Sequence, residues 1–266
     1  MKRNTARGRP PVEQAQQHYL VEPRGLAGGG DIRHVSAYLH ACGWRNKSKR
    51  DGPLVLVSPD RKIHVGYDPQ GSPGGWTIHQ EASAHQGQWT AFLGKQTPVE
   101  IVAGLTDTLL DPRSAHAPSV WAPLQEQQWK TGWAAGQFTA RSPDGTGWVQ
   151  YHEDEPGQAL WWAGAGDQQG NGWTATFTTA TPLHVVQAFA TALASPVPVM
   201  RPRGRVPHSA KIRTTSVSVL PSQLSTWQQA RLQAAHAATW ARNRTAAPPR
   251  TSTAPAAAGQ RARARR

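Results

Sequence analysis

Residues 54–67, LVLVSPDRKIHVGY, return 84 residues later as residues 138–151, FTARSPDGTGWVQY. Within them, Ser58-Pro59-Asp60 recurs as Ser142-Pro143-Asp144 and Tyr67 as Tyr151. The match continues further along the chain, with Trp89 returning as Trp173 and Thr97-Pro98 as Thr181-Pro182. Because the internal spacing is kept, the sequence indicates one supersecondary unit used twice.

The Ser-Pro-Asp segment is typical of a tight turn between two strands. Serine bonds the turn backbone, proline fixes φ at the second position, and aspartate tolerates the third. After the turn, Ile63, Val65 and Tyr67 alternate with other residues, which predicts a half-buried strand. With runs near residues 54–57, 76–80 and 89–93, each copy is predicted to hold four strands.

Helices are predicted on both sides of these strands. Val35 and Leu39 fall on one face of a helix that Asp31 caps and Gly43 ends. Thr97 and Glu100, with Pro98 between them, have the spacing of a capping box at the start of the second helix. In the second copy, Gly132-Trp133 is matched to Gly43-Trp44.

These patterns predict an α+β fold made of two tandem repeats. Each repeat is expected to contain a helix, a four-stranded antiparallel sheet and a helix, and the two are expected to pack as a pseudo-symmetric pair. The expected segments are a flexible, disordered N-terminal arm (1–30), a first repeat (31–111), a second repeat (119–195), a basic extension (196–244) with one helix at about 222–243, and a disordered Arg/Ala/Pro tail (245–266).

Charge is distributed unevenly along the chain. The formal net charge is +13, from 29 basic and 16 acidic residues. Residues 1–194 contain 16 basic and 16 acidic residues, whereas residues 195–266 contain 13 Lys or Arg and no acid. A neutral body with a cationic appendage attracts polyanions through the appendage. A basic segment without a specific role is the alternative.

Nucleic acid is the expected polyanion, and the basic extension is the expected contact region. Contacts would go to phosphates and would be salt-dependent and independent of sequence. The candidate residues are Arg201, Arg203, Arg205, Lys211, Arg213, Arg231, Arg242 and Arg244.

Tryptophan is abundant, with 12 residues in the chain, and most of them lie in the repeats. Core filling is the leading interpretation, because large aromatic side chains help small sheets to bury area. Trp161 and Trp162 are adjacent on a predicted strand and must point to opposite faces. We therefore take Trp161 and Trp162 as the candidate surface aromatics, able to stack bases or sugars.

The sequence contains no catalytic signature that we recognise. The titratable residues shared by both copies, Asp60 with Asp144 and Tyr67 with Tyr151, fit structural roles. We expect no enzyme, no catalytic residue, no cofactor and no metal site. The single cysteine, Cys42, excludes an internal disulfide. With no apolar run of membrane-spanning length, we expect no membrane association and a cytoplasmic location.

The doubled Ser-Pro-Asp turn, the following tyrosine, the paired tryptophans and the Thr-Pro helix start resemble the SPDY-motif family. The resemblance covers roughly residues 19–244. It implies an actinobacterial domain of unknown function that often occurs in tandem. The family has no known catalytic residues, so the resemblance assigns no functional residue here.

Together these features favour a non-catalytic, two-unit binding module whose Arg-rich tail associates with nucleic acid. The alternative is a protein–protein interaction adaptor without nucleic-acid binding, and an enzyme ranks third. Behind the first hypothesis lies the assumption that the balanced body and the basic appendage do separate jobs.

Overall fold

The computed structural model describes residues 13–84, 86–110, 117–134, 136–153 and 159–246. The strands are β1 (Gln16–Glu22), β2 (Arg45–Asn46), β3 (Leu54–Val57), β4 (Ile63–Asp68), β5 (Gly75–Gln80), β6 (Trp89–Gly94), β7 (Lys130–Ala134), β8 (Gln137–Arg141), β9 (Gly147–Glu153), β10 (Ala159–Gly166), β11 (Gly172–Phe177), β12 (Val199–Pro202) and β13 (Arg213–Val219). The helices are α1 (Arg33–Ala41), α2 (Val99–Thr108), α3 (Ala122–Glu126), α4 (Leu183–Ala194) and α5 (Pro221–Ala246).

The main sheet has ten antiparallel strands in the order β2-β3-β4-β5-β6-β11-β10-β9-β8-β7. Five consecutive strands come from each repeat, and the two halves join where β6 pairs with β11. At this junction Ala91 pairs with Phe177, Phe92 with Thr176 and Leu93 with Ala175. A separate sheet has the order β12-β1-β13.

The register at the junction reveals a pseudo-two-fold axis. Because the repeats are 84 residues apart, Ala91 is equivalent to Ala175 and Leu93 is equivalent to Phe177. Exchanging the two repeats therefore converts the pair Ala91–Phe177 into the pair Leu93–Ala175. The pair Phe92–Thr176 is converted into itself, so the axis passes between these two residues. The two repeats face each other across one continuous ladder of hydrogen bonds.

The helices form a layer on one face of the main sheet, with neighbours in the order α5-α1-α2-α4-α3. Side chains that point from the central strands toward this layer are buried, including Trp76, Trp89, Leu93 and Phe177. The centre of the layer is the contact between α2 and α4. A Cβ built at Gly104 of α2 would lie 2.5 Å from the Cβ of Ala192, so only glycine permits this helix approach.

The predicted α+β arrangement of two four-stranded sheets is wrong. The chain is mostly β, and the halves merge edge to edge into one ten-stranded sheet. Unpaired edge strands leave backbone N–H and C=O groups without partners, and the β6–β11 pairing satisfies them. The sequence pattern indicated four of the five strands in each repeat but carried no signal for pairing between the repeats.

The predicted flexible arm at residues 1–30 is also wrong for the residues that the structure describes. β1 is the central strand of the small sheet, and its Val21 is fully buried. Gly28-Gly29-Gly30 is closely packed, since a Cβ at Gly29 would lie 2.8 Å from the Lys95 carbonyl oxygen. Residues 1–12 lie outside the described part.

The match of Gly132-Trp133 to Gly43-Trp44 is wrong. The backbone N–H of Trp129 donates to Leu124 as that of Trp44 donates to Leu39, at 3.0 Å in both cases. Gln128, with φ of 60°, takes the place of Gly43, with φ of 90°. A glutamine in the left-handed region concealed the equivalence, because glycine is the usual signal for that conformation.

Two further expectations fall wholly or partly outside the described residues. These are the end of the predicted first repeat, since residues 111–116 are not described, and the tail, of which residues 247–266 are not described. Residues 245–246, placed in the predicted tail, instead end α5.

We expect Gly104→Ala to destabilise the protein by about 1–3 kcal/mol, because the added methyl group pushes α2 and α4 apart. Alanine is the better helix former by about 1 kcal/mol, so a loss of stability isolates the packing effect. The measurement is urea unfolding, with Gly104→Ala/Ala192→Gly as the matched variant that should regain most of the loss. A neutral or stabilising Gly104→Ala would contradict the close helix contact.

Candidate nucleic-acid interface

The two Ser-Pro-Asp turns are built by the same hydrogen bonds. In the first, the Ser58 hydroxyl donates to Asp60 at 2.6 Å and accepts from the Ile63 N–H at 2.9 Å. In the second, the Ser142 hydroxyl donates to Asp144 and accepts from the Gly147 N–H at 2.7 Å. Serine and aspartate thus close each strand-to-strand turn, which accounts for their recurrence without any reaction.

The recurring tyrosines are packing residues. The rings of Tyr67 and Trp76 lie 4.7 Å apart, and those of Tyr151 and Trp161 lie 4.8 Å apart. Both pairs lie on the helix-covered face and join neighbouring strands.

Arg201 is buried and is not available to a phosphate. Its side chain is 3% exposed and forms two hydrogen bonds with the Glu100 carboxylate, at 2.6 and 2.7 Å. It also donates to the carbonyl oxygens of Ala27 and Gly28, each at 3.0 Å. Glu100, expected to cap α2, instead binds the extension, and no side chain caps that helix.

Arg231 is likewise bound to the body. Its guanidinium contacts both Asp107 carboxylate oxygens at 3.0 and 3.1 Å and lies 4.1 Å from the Tyr38 ring centroid. This contact holds α5 against α1 and α2. With Arg201 and Arg231 paired to acids of α2, the assumed separation between a neutral body and an independent basic appendage is wrong.

Four other predicted cations are exposed: Arg203, Arg205, Lys211 and Arg213. Arg203 donates to the Gln17 side chain at 3.3 Å, and Arg213 forms an exposed ion pair with Glu22 at 3.4 Å. Exposed pairs of this kind contribute little stability and leave the cation available to an anion. The side chains of Arg242 and Arg244, in the last turn of α5, lie outside the described part.

The loop that carries Lys211 is fixed to one end of the second repeat. Asn171 donates to the His208 carbonyl oxygen at 2.6 Å. Hydrogen bonds from Ser209 and Asn171 lower the pKa of Asp167 to about 2. Burial alone would raise the pKa of Asp144 in the turn beside it, but hydrogen bonds from Ser142 and Thr146 and the charge of Lys211 keep it below its ordinary value.

The two candidate surface tryptophans have opposite environments. Trp161 is 6% exposed and packs on the helix side, between Tyr151 and Trp121, so its assignment as a surface aromatic is wrong. Trp162 is 43% exposed on the opposite face of the sheet. Adjacent residues of a strand must point to opposite faces of the sheet, but the sequence did not indicate which of the two faces the helices.

Around Trp162, the face opposite the helices carries aromatic and polar side chains in one row. Cross-strand pairing places Thr139, Gln150, Trp162, Thr176, Phe92 and Thr77 side by side across six strands. Trp148 lies in the neighbouring row, opposite Gly164. No described helix packs on this face. A sheet face with accessible aromatic side chains is a surface on which planar rings can stack.

Three exposed tryptophans were not singled out from the sequence as surface residues: Trp133, Trp227 and Trp240, at 70%, 55% and 62% exposure. Trp133 lies on the edge strand β7, and its ring is 5.5 Å from that of Phe138 on the helix side. Trp227 and Trp240 lie on α5. The weak apolar periodicity of this helix was the available signal that its residues are not core residues.

A groove of about 350 Å³ lies between residues 22–25 and the second Ser-Pro-Asp turn. Arg24 and Arg213 line it together with Glu22 and Asp144. Because the opposite charges are matched, the groove is not an anion site. Among the described residues, no group of three or more His, Cys, Asp or Glu side chains is placed to hold a metal ion.

The repeat geometry agrees with the family comparison. Residues 57–115 and 141–199 match the model of the SPDY family, a domain of unknown function (DUF317). The chain carries two tandem SPDY domains. Each SPDY match starts next to a Ser-Pro-Asp turn, and the second extends through α4. No curated protein and no solved structure shows significant similarity to the chain.

The described helices of this SPDY protein include none that is long and apolar enough to cross a membrane.

Replacing Glu100 with glutamine should destabilise the protein by about 3 kcal/mol, because it leaves the buried Arg201 charge without its partner. Asp107→Asn is the matched control, since Arg231 and Asp107 are each 27% exposed and retain contact with water. Chemical denaturation of both variants provides the comparison. Equal losses in the two variants would contradict the distinction between a buried and a half-exposed pair.

Stability should also fall on acidification through Glu100. Burial by itself raises the pKa of this carboxyl, but the hydrogen bonds and charge of Arg201 outweigh burial and hold the pKa below its ordinary value. A lowered folded-state pKa contributes stability above the unfolded-state pKa, and this is lost as the pH falls through the folded-state value. Unfolding free energies of wild type and Glu100→Gln, measured from neutral pH to below about pH 4, should therefore converge. A constant difference between them would contradict the linkage.

Proposed function

We propose that this tandem SPDY protein is a non-catalytic binding module that associates with nucleic acid through the exposed cations of its C-terminal extension. The proposal rests on four exposed cations, Arg203, Arg205, Lys211 and Arg213. They lie in a segment, residues 195–266, that contains no acidic residue to neutralise them. Arg201 and Arg231 anchor the extension to the body and are not part of the proposed contact. The proposed setting is the cytoplasm.

The physical basis is release of counterions from the phosphate backbone. Each phosphate neutralised by a Lys or Arg side chain adds salt-dependent affinity that does not depend on sequence. The arginine side chains suit this role because the guanidinium can donate two hydrogen bonds to one phosphate. Arg203, Arg205 and Lys211 lie in the segment between β12 and β13, and Arg213 begins β13, so the two strands hold both ends of the segment that carries the cations.

A protein–protein adaptor is the second candidate function. The observation in its favour is the exposure of Trp227 and Trp240 on α5, because aromatic residues are enriched where proteins bind one another. Binding of this kind would depend little on salt.

Neutralising the four cations as Arg203→Gln, Arg205→Gln, Lys211→Gln and Arg213→Gln should weaken binding to oligo-dT and to duplex DNA. The slope of log affinity against log salt should become shallower by about 0.7 to 0.9 for each phosphate that the protein no longer neutralises. The measurement is fluorescence anisotropy over a salt titration with the full-length protein. These substitutions leave the buried Arg201 side chain bound to Glu100, which removal of residues 195–266 would not.

The matched control neutralises four exposed cations of the first repeat: Lys47, Lys49, Arg50 and Arg61. It removes the same net charge from another surface. Equal weakening by both sets would show that total charge is responsible and would contradict the proposed contact region. Failure of the wild-type protein to bind either nucleic acid at low salt would refute the function itself.

A further inference from the structure

At equivalent positions the two repeats carry similar side chains on the helix-covered face of the sheet and different side chains on the opposite face. Trp161 corresponds to Trp76, and both are buried beside a tyrosine. On the opposite face, the strand register places Trp148, Trp162 and Arg141 of the second repeat where the first has His64, Thr77 and Val57. Packing alone accounts for the shared residues, but it does not account for the exposed Trp162 or the half-buried Trp148, neither of which has a tryptophan counterpart in the first repeat.

Trp148 and Trp162 are close neighbours on this face. Trp148 pairs directly with Gly164, and Trp162 lies two residues along the same strand. Diagonal positions of this kind are about 7–8 Å apart. A Cβ at Gly164 would approach the Trp148 ring to 2.9 and 3.1 Å, so the ring lies over the glycine backbone. Gly164 thus leaves room for Trp148 to lie low against the sheet, next to the more exposed Trp162.

Two exposed cations continue the row that contains Trp148. Lys130 pairs with Arg141 across β7 and β8, and Arg141 pairs with Trp148 across β8 and β9. In the described part of the chain, neither Lys130 nor Arg141 forms an ion pair with a carboxylate. Arg141 directly precedes the second Ser-Pro-Asp turn, at the end of the repeat where Lys211 acts on the pKa of Asp144.

We propose that this surface, formed by Lys130, Arg141, Trp148 and Trp162, binds single-stranded nucleic acid. Unpaired bases stack on Trp148 and Trp162, while phosphates contact Lys130 and Arg141. The inference rests on the proposed function and assigns it a strand preference and a second contact surface. The combination of cations and aromatic rings selects a ligand that has both negative charge and accessible planar rings. Duplex bases are stacked on each other, so their faces cannot reach the tryptophan rings on the sheet.

The test compares oligo-dT with a dA·dT duplex, using full-length wild type, Trp162→Ala and Trp162→Phe. Trp162→Ala should weaken oligo-dT binding about 5- to 150-fold, the range expected when one base–aromatic stack is removed. Duplex binding should change little. Trp162→Phe keeps an aromatic ring and should recover a large part of the oligo-dT affinity. Arg141→Gln should reduce the salt dependence of oligo-dT binding.

Trp133→Ala is the matched control, because Trp133 is an exposed tryptophan of the same repeat on the helix side of β7. It should leave both affinities unchanged. Equal oligo-dT binding by wild type and Trp162→Ala would overturn this site while leaving the proposed function in place. A parallel loss of duplex binding in Trp162→Ala would also overturn it, since base stacking would then not be responsible. Absence of binding to either probe by wild type would refute the site together with the function.

Discussion

The backbone pairing between β6 and β11 organises the whole protein. It joins two five-stranded halves into one sheet and sets the pseudo-two-fold axis between Phe92 and Thr176. With that axis fixed, α2 and α4 must meet above the junction, and glycine at position 104 is the local consequence. The helices cover one face of this sheet, and the other face is left for other contacts.

The terminal segments break the symmetry. Residues 13–30 and the C-terminal extension contact each other through the β12-β1-β13 sheet, and Arg201 joins both to Glu100 of the first repeat. The second repeat has His184 where the first has Glu100, so an equivalent ion pair could not form there. One acidic side chain therefore determines where Arg201 binds, and a buried ion pair of this kind is better understood as fixing an arrangement than as adding net stability.

The net charge of the extension consequently does not show which of its cations are paired in the structure and which are exposed. Some arginines of the extension are structural, while others remain exposed. The same division applies to the 12 tryptophans, six of which are buried in the core, whereas Trp162 faces outward. Each residue type has two roles, and its environment alone distinguishes them.

The sequence by itself determined the duplication, the Ser-Pro-Asp turns, most of the strands in each copy and the tandem SPDY assignment. These features depend on local geometry, since a turn needs residues with suitable φ and a strand needs alternation of side chains. Only the tertiary structure decided that the two sheets become one, that residues 16–22 form a strand, that Glu100 binds Arg201 rather than capping α2, and which of Trp161 and Trp162 is exposed. These outcomes depend on contacts between residues far apart in the chain. Such contacts leave no periodic pattern in the sequence, because edge pairing uses backbone groups that every residue possesses.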